Sequence, residues 1–371
     1  MRVANGKIWI ERFSRFCLAL PKPRFVVFAV LLTLLVSVTF FSPKFNKWDL
    51  TNPTFFETAR ALTFLSQCDD PFRADIEPAM RWRLLPALTC NTLGLRGAAG
   101  LAIPFSGVIC LLTFSALLLR RKGLSPFQVA LACLILGTTS TLIVPIGLLG
   151  INDAWVWLGL IAVVLGPRWA VVLCCLLVPW VDERFVIGLP LAVAVRTHLA
   201  SSEARSGEVL RAILTFGIWL IPYAVARLSL RALGFSDPSG SFLGSTLREF
   251  LLVWSPFAPL GWWMAYRAAW LFVGVAVASI IKTSPLTIWI AGLTLLVSAI
   301  LAADLSRSTA IMLPLLVFGI IHVSTRWSEE RANGALSAVL ALNLAIPTAH
   351  VIYNKIDIIS PFPVELVRLI R

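Results

Sequence analysis

The sequence predicts an all-α, polytopic integral membrane protein, a helical bundle of about 11 transmembrane segments. Three observations predict it. Of 371 residues, 58% come from the apolar set and only 14% are charged, against about 25% charged in a typical soluble domain. Mean hydropathy is +0.86. The apolar residues come in long runs, with the polar ones gathered between them. A water-soluble single domain, a disordered chain and a disulfide-rich miniprotein are excluded together.

The first run spans residues 24–41, after a basic segment, 1–23, that holds Arg2, Lys7, Arg12, Arg15 and Lys22. A cleaved signal peptide needs a shorter core and a small-residue cleavage site. This run ends in Thr39-Phe40-Phe41-Ser42-Pro43, so a retained helix is expected. Residues 42–97 form the only sizeable polar segment, too short for a core of its own. Within it, FFETARALTFL from Phe55 reads as an interfacial amphipathic helix, and 78–95 reads as a second. Ser66 to Asp75 make a polar turn between them. Further runs follow at 98–119, 127–150, 154–166, 169–181, 185–195, 211–230, 263–281, 285–303, 309–325 and 334–352. Three of these (154–166, 169–181 and 185–195) fall short of the roughly 20 residues of a full crossing. They read as tilted helices, half-helices or a re-entrant pair. Residues 247–262 read as an interfacial helix broken at Pro256 and Pro259. The chain closes with a tail at 354–371, and the whole of 1–371 reads as one transmembrane domain.

With the N-terminus in the cytoplasm, sixteen Lys and Arg fall in the inner segments 1–24, 120–126, 167–168, 196–211, 282–284 and 326–333. The short outer connections hold five: Arg184, Arg227, Arg231, Arg248 and Arg307. This is the positive-inside pattern, and it puts the C-terminus outside. It also accounts for the net charge of +13 without nucleic acid, for which no basic stripe with interleaved aromatics is present. The same topology sends most carboxylates outward: Asp49, Glu57, Asp69, Asp70, Asp75, Glu77, Asp153, Asp182, Glu183, Asp237, Glu249, Asp304, Asp357 and Glu365. Several of them, with Asn152, sit at the ends of apolar runs. Carboxylates at membrane depth are costly and mark a cavity or a pathway, so a site on the outer face is expected. Cys68 and Cys90 share the long outer loop and are the disulfide candidates. No spacing resembles a zinc site, and no metal site is assigned.

The order of features carries a resemblance. Asp49 follows the first span, Phe55 to Leu62 form the helix F-x-x-x-A-R-A-L, Asp69-Asp70 sit in a turn, and Arg83-Leu84-Leu85-Pro86 lead into the second span. Asn152-Asp153, Asp182-Glu183-Arg184 with Pro190, and Asp304-Leu305-Ser306-Arg307 with Pro314 recur later. This architecture resembles the GT-C superfamily of membrane glycosyltransferases and its bacterial relatives, although a clean Asp-x-Asp after the first span and a large soluble C-terminal domain are both absent. The resemblance implies a bacterial inner-membrane enzyme that takes a sugar from a polyprenyl-phosphate donor. The acceptor, a glycan, lipid or protein, would approach from outside. On that reading Asp49 is the first choice of catalytic base. Asp69 and Asp70 are the second, as base or as ligands of a divalent metal. Arg81, Arg83, Arg184, Arg267 and Arg307 are the candidates for gripping the donor phosphate. Arg267, beside Trp262, Trp263 and Tyr266, reads equally as an interfacial anchor.

Two other functions compete. A transporter or lipid-linked-sugar flippase would use broken helices, and Pro145, Pro179, Pro190 and Pro222 lie inside apolar runs. A non-catalytic subunit of a polysaccharide assembly or export complex is the third reading. No nucleophile elbow or phosphate-binding loop is present.

Overall fold

A computed structural model describes residues 2–73, 75–76, 78–201, 203–232, 247–301 and 304–370, with side chains from residue 11 onward except those of 78 and 79. Glu77 and Asp237 lie outside the described residues. The chain is about 80% helical. Helices α1 (Arg2–Ala19) and α2 (Lys22–Phe40) precede the first loop, which carries α3 (Phe56–Asp69), α4 (Pro78–Arg81) and α5 (Leu84–Thr92). The bundle continues with α6 (Ala102–Arg121), α7 (Pro126–Gly137), α8 (Ser140–Gly147), α9 (Asp153–Leu165), α10 (Arg168–Leu177) and α11 (Arg184–Ala200). Then come α12 (Ser206–Gly217), α13 (Ile221–Ala232), α14 (Ala258–Tyr266), α15 (Trp270–Ile280) and α16 (Pro285–Leu301). The last helices are α17 (Leu305–Ser308), α18 (Leu313–Arg326), α19 (Glu329–Ala345) and α20 (Phe362–Ile370).

The eleven apolar runs do not become eleven full-length spans. Among the described residues, five helical runs are long and apolar enough to cross a membrane: Lys22–Phe40, Gly97–Arg121, Ser206–Ala232, Leu247–Ile280 and Leu305–Arg326. A sixth arises if α7 and α8, bent by 57° at Thr138-Thr139, count as one crossing. The other apolar helices, such as α9 with 13 residues, are too short. At 1.5 Å per residue, α9 reaches about 20 Å, against a hydrocarbon core of about 30 Å. Residues 247–262 do not form a separate interfacial helix. They run into α14 and α15 through a π turn at Phe250–Trp254 and a 3₁₀ turn at Ser255–Phe257, and Pro256 and Pro259 fall at the starts of turns, where a missing N–H costs nothing.

The run 334–352 is not helical to its end. Its first part is α19; its last part is β1 (Thr348–Ile352), paired antiparallel with β2 (Lys355–Ile359). The β-branched residues Val351, Ile352, Ile356, Ile358 and Ile359 favour strand. Tyr353, with φ 52, makes the tight reversal. The expected tail is thus a hairpin followed by the amphipathic α20, which packs near α2.

Burial sorts the helices into two layers. All of α7 is buried, as is α18 up to its last turn, and α9 and α11 lie largely inside with them. The outer helices expose large apolar side chains, including Leu31, Leu35, Ile109, Leu173, Leu214, Leu228, Trp289 and Leu293. A helix apolar on every face is buried in protein or faces lipid. Several apolar helices of this kind fit an integral membrane protein.

Where helices break, polar side chains fill the gaps. Arg267, fully buried and with φ 49, donates to the carbonyl oxygens of Thr138 and Ile346, at the C-terminal ends of α7 and α19. Asn343 accepts from the Ala268 N–H at 2.8 Å and donates to Thr138 Oγ1 at 3.0 Å. The guanidinium also lies 4.7 Å from the centre of the Phe41 ring. These orphan carbonyls would otherwise go unsatisfied in an apolar interior.

Candidate functional site

The polar residues converge at the end of the bundle that carries the first loop. At the start of α9, Asp153 is 1% exposed. Its carboxylate accepts two bonds from Arg307 at 2.6 Å and two from Arg184 at 2.5 and 3.2 Å. Asp182, 2% exposed, accepts from Nε and Nη2 of Arg184 at 2.9 and 2.8 Å, and pairs with Arg83 at 2.9 Å. Glu183 lies on the rim, 3.7 Å from Arg227 and 3.9 Å from Arg83. The chain Arg83–Asp182–Arg184–Asp153–Arg307 therefore joins the loop, α9, α11 and α17. Burial alone pushes the Asp182 carboxyl up, but the Arg184 and Arg83 guanidinium groups outweigh it and hold the group well below the usual carboxylate range. Asn152 precedes Asp153 and lines a cavity of about 10 Å³ beside the network, room for about one water.

Arg307 connects this network to the hairpin. Asp304 Oδ1 caps α17 by accepting from the Arg307 N–H at 3.0 Å. The neighbouring Ser306 Oγ accepts from the Val351 N–H of β1 at 3.1 Å. One residue earlier in β1, His350 is buried, with no hydrogen-bond partner for its Nδ1. Burial holds its imidazole below the ordinary value although Asp304 and Asp357 pull the other way. Its register partner across the hairpin is Asp357.

Asp357 belongs to a second polar set. Lys44 Nζ bonds both Asp357 oxygens at 2.5 Å and lies 3.4 Å from the buried Glu57. Lys47 lies 3.7 Å from Glu57. Glu57 is placed by its own helix: the Leu149 N–H donates to the Glu57 carbonyl at 3.0 Å, and Gly150 packs its backbone on Ala61 of α3. A Cβ on Gly150 would stand 2.5 Å from Ala61 Cα, and its φ of +75 favours glycine.

These groups wall a cleft of about 960 Å³. Its polar wall is Lys44, Lys47, Glu57, Glu249, Lys355 and Asp357, and Phe55, Phe56, Trp254 and Tyr353 supply aromatic faces. Trp254 and Tyr353 meet edge to face, with centroids 5.3 Å apart. A separate apolar groove of about 330 Å³ runs along the flank between α5, α6, α9 and α10. It ends at Val181, next to Asp182.

Comparison with protein-family models, curated proteins and solved structures returns no match.

The residues nominated from the sequence divide into three groups. Arg83, Asp153, Asp182, Glu183, Arg184, Asp304 and Arg307 come together, with Asn152 beside them. Arg184 and Arg307 direct their side-chain donors to carboxylates, whereas Arg83 divides its own between Asp182 and the Met80 sulfur. Arg267 stands apart, in the knot of broken helices, buried rather than interfacial. Arg81 is buried at the end of α4, its carbonyl accepting from Gln67 at 3.4 Å. Asp49, Asp69 and Asp70 make local contacts. Asp49 Oδ1 accepts from the Thr51 N–H and hydroxyl at 2.8 and 2.6 Å, which lowers its pKa. Asp69 lies 3.7 Å from Arg96, and Asp70 accepts from the Phe72 N–H at 3.2 Å. Among the described residues, no three His, Cys, Asp or Glu converge as a metal would require.

Cys68 and Cys90 are neighbouring buried thiols, unbonded in the structure. A Cβ on Gly100 would approach their sulfurs to 3.6 and 3.0 Å. Burial, and then the Cys90 thiol, push the Cys68 thiol well up. The sequence reading missed Lys44, Lys47, Lys355 and His350 as site residues and treated Glu57 and Asp357 only as members of the outer acidic set. Glu57 lies on the buried face of α3, in line with Ala61, Phe64, Leu65 and Cys68, and its i, i+4, i+7 spacing to those apolar residues was the available signal.

Proposed function

We propose that this protein is a membrane-embedded, GT-C-like glycosyltransferase that works at the loop end of the bundle on a sugar carried by a polyprenyl phosphate. One observation carries the reading: the cleft of about 960 Å³ combines carboxylates, lysines and aromatic faces in one wall. Its volume suits a ligand site, roughly 300–1,000 Å³. Lys47 and Lys355 supply positive charge for a donor phosphate. Glu57 supplies a carboxylate to take up an acceptor hydroxyl proton. The flat faces of Trp254 and Tyr353 suit a sugar ring. The apolar groove on the flank suits the chain of an amphiphile. The acceptor is a glycan, a lipid or a protein reached from the face of the first loop, and the charge asymmetry of the flanks supports an outward orientation of that face.

Transport of the lipid-linked sugar is the second reading, favoured by the 57° bend between α7 and α8 and the buried Arg267 beside it. The test uses full-length protein in liposomes with a radiolabelled polyprenyl-phosphate sugar. Transfer to an acceptor, or slow hydrolysis without one, is expected. Glu57→Gln should lower it by about 100-fold or more, the scale of a lost acid–base group. Asp49→Asn, measured beside it, keeps most turnover if the cleft is the site and abolishes turnover if Asp49 is the base. Movement of the label across the bilayer with no transfer refutes the enzyme and supports transport.

A further inference from the structure

A second cavity lies at the opposite end of the bundle, and the loop-end cleft makes no use of it. It holds about 420 Å³ and sits where α6, α11, α15 and α18 end. The 20 residues of α6 put it about 30 Å from the first loop. Its polar wall is Lys122, His198, Ser279, His322, Thr325 and Arg326. Among the described residues that line it there is no carboxylate.

The helix ends oppose an anion here, because each C-terminus carries about half a negative charge. Capping reduces that opposition. Backbone N–H groups of Lys122, Ser201, Ser284 and Trp327 donate to Leu118, Thr197, Ile280 and Val323. The field of a helix end also fades within its last turn, whereas Lys122 and Arg326 are full charges on long, exposed side chains. His198 is held in place, its Nε2 3.2 Å from Thr287 Oγ1. His322 lies over Phe318 at 6.0 Å between ring centres.

We propose that this cavity binds a phosphate-bearing anion. The Arg326 fork and the Lys122 ammonium take the phosphate oxygens, the Ser279 and Thr325 hydroxyls being spent on the Ala276 and Ile321 carbonyls at 2.8 Å, and Phe318 and Ile321 receive the adjoining carbon skeleton. Two sources share this chemistry: the headgroup of an anionic phospholipid in that leaflet, and a soluble phosphate ester. The site is independent of the transferase reading.

The test compares full-length wild type with the double variant Lys122→Gln/Arg326→Gln and with Arg121→Gln, an exposed neighbour outside the wall. Retained phosphatidylglycerol is counted by native mass spectrometry in detergent, and the thermal shift with pyrophosphate is measured in parallel. Wild type and Arg121→Gln should bind, and the double variant should bind at least tenfold more weakly. A loss in the lipid arm alone assigns the headgroup; a loss in the pyrophosphate arm alone assigns the soluble ester. Equal binding by wild type and double variant in both arms overturns the proposal, as does an equal loss in Arg121→Gln. If the double variant aggregates, Lys122→Gln alone is read against the same two outcomes.

Discussion

Replacing Asp153 by Asn leaves the shape of the network almost unchanged and removes the charge at its centre. Four charge-assisted bonds converge on that carboxylate, two from Arg184 and two from Arg307. Both arginines are less than a tenth exposed, so bulk water does not reach the place of the lost partner. Asn offers one carbonyl oxygen and an NH₂ that faces guanidinium donors. Breaking a buried pair from one side costs about 3–5 kcal/mol, because an uncompensated charge stays buried. At roughly 2–4 °C per kcal/mol for a mid-sized chain, Asp153→Asn should lower the unfolding midpoint by about 10 °C. The assay is tryptophan-monitored unfolding in detergent, with monodispersity checked beforehand. Arg307→Gln in the Asp153→Asn background should cost less than the sum of the single changes, since it removes one of the stranded charges. A midpoint within about 1 °C of wild type for Asp153→Asn would refute the buried network. Strict additivity of the two changes would refute its connectivity.

Three further outcomes follow from the same structure. Gly150→Ala should destabilise by about 2 kcal/mol or more, from left-handed strain plus the clash with Ala61, read as a lower midpoint and faster proteolysis of the first loop. Arg267→Met should cost about 1–3 kcal/mol for each buried carbonyl it strands; hydrogen exchange should rise at the ends of α7 and α19 and not in α3. The pH dependence follows from Asp182, whose pKa is depressed in the folded chain. Its contribution is complete above the ordinary carboxylate value of about 4 and is lost only as pH falls through the depressed one. Stability should therefore decline below about pH 4, and Asp182→Asn should flatten that decline.

Half of the loop-end chemistry was legible in the sequence. Asp153, Asp182, Arg184 and Arg307 stood out as charges at the ends of apolar runs, and the structure brings all four together. Their pairing was not legible, because 154 positions separate Asp153 from Arg307, and each arginine read alone looked free to hold a phosphate. Lys44, His350 and Asp357 were hidden for another reason. The apolar stretch that closes the chain masks the change from helical to strand periodicity, and the hairpin carries Asp357 back to Lys44. Arg267 looked interfacial because aromatics precede it; three chain breaks meeting around it leave no one-dimensional trace. The eleven expected spans exceed the five or six full-length helices among the described residues for a simpler cause. Apolarity marks a buried core helix such as α9 as readily as a membrane crossing.

The central claim is that the cleft walled by Lys44, Lys47, Glu57, Lys355 and Asp357 receives a phosphate-linked sugar. Its most direct test is an experimental structure in lipid nanodiscs with a polyprenyl-phosphate sugar analogue bound. The phosphate is expected within hydrogen-bond reach of Lys47 or Lys355, and the sugar against Trp254 or Tyr353. An analogue bound elsewhere, with the cleft empty or filled by its own side chains, would contradict it.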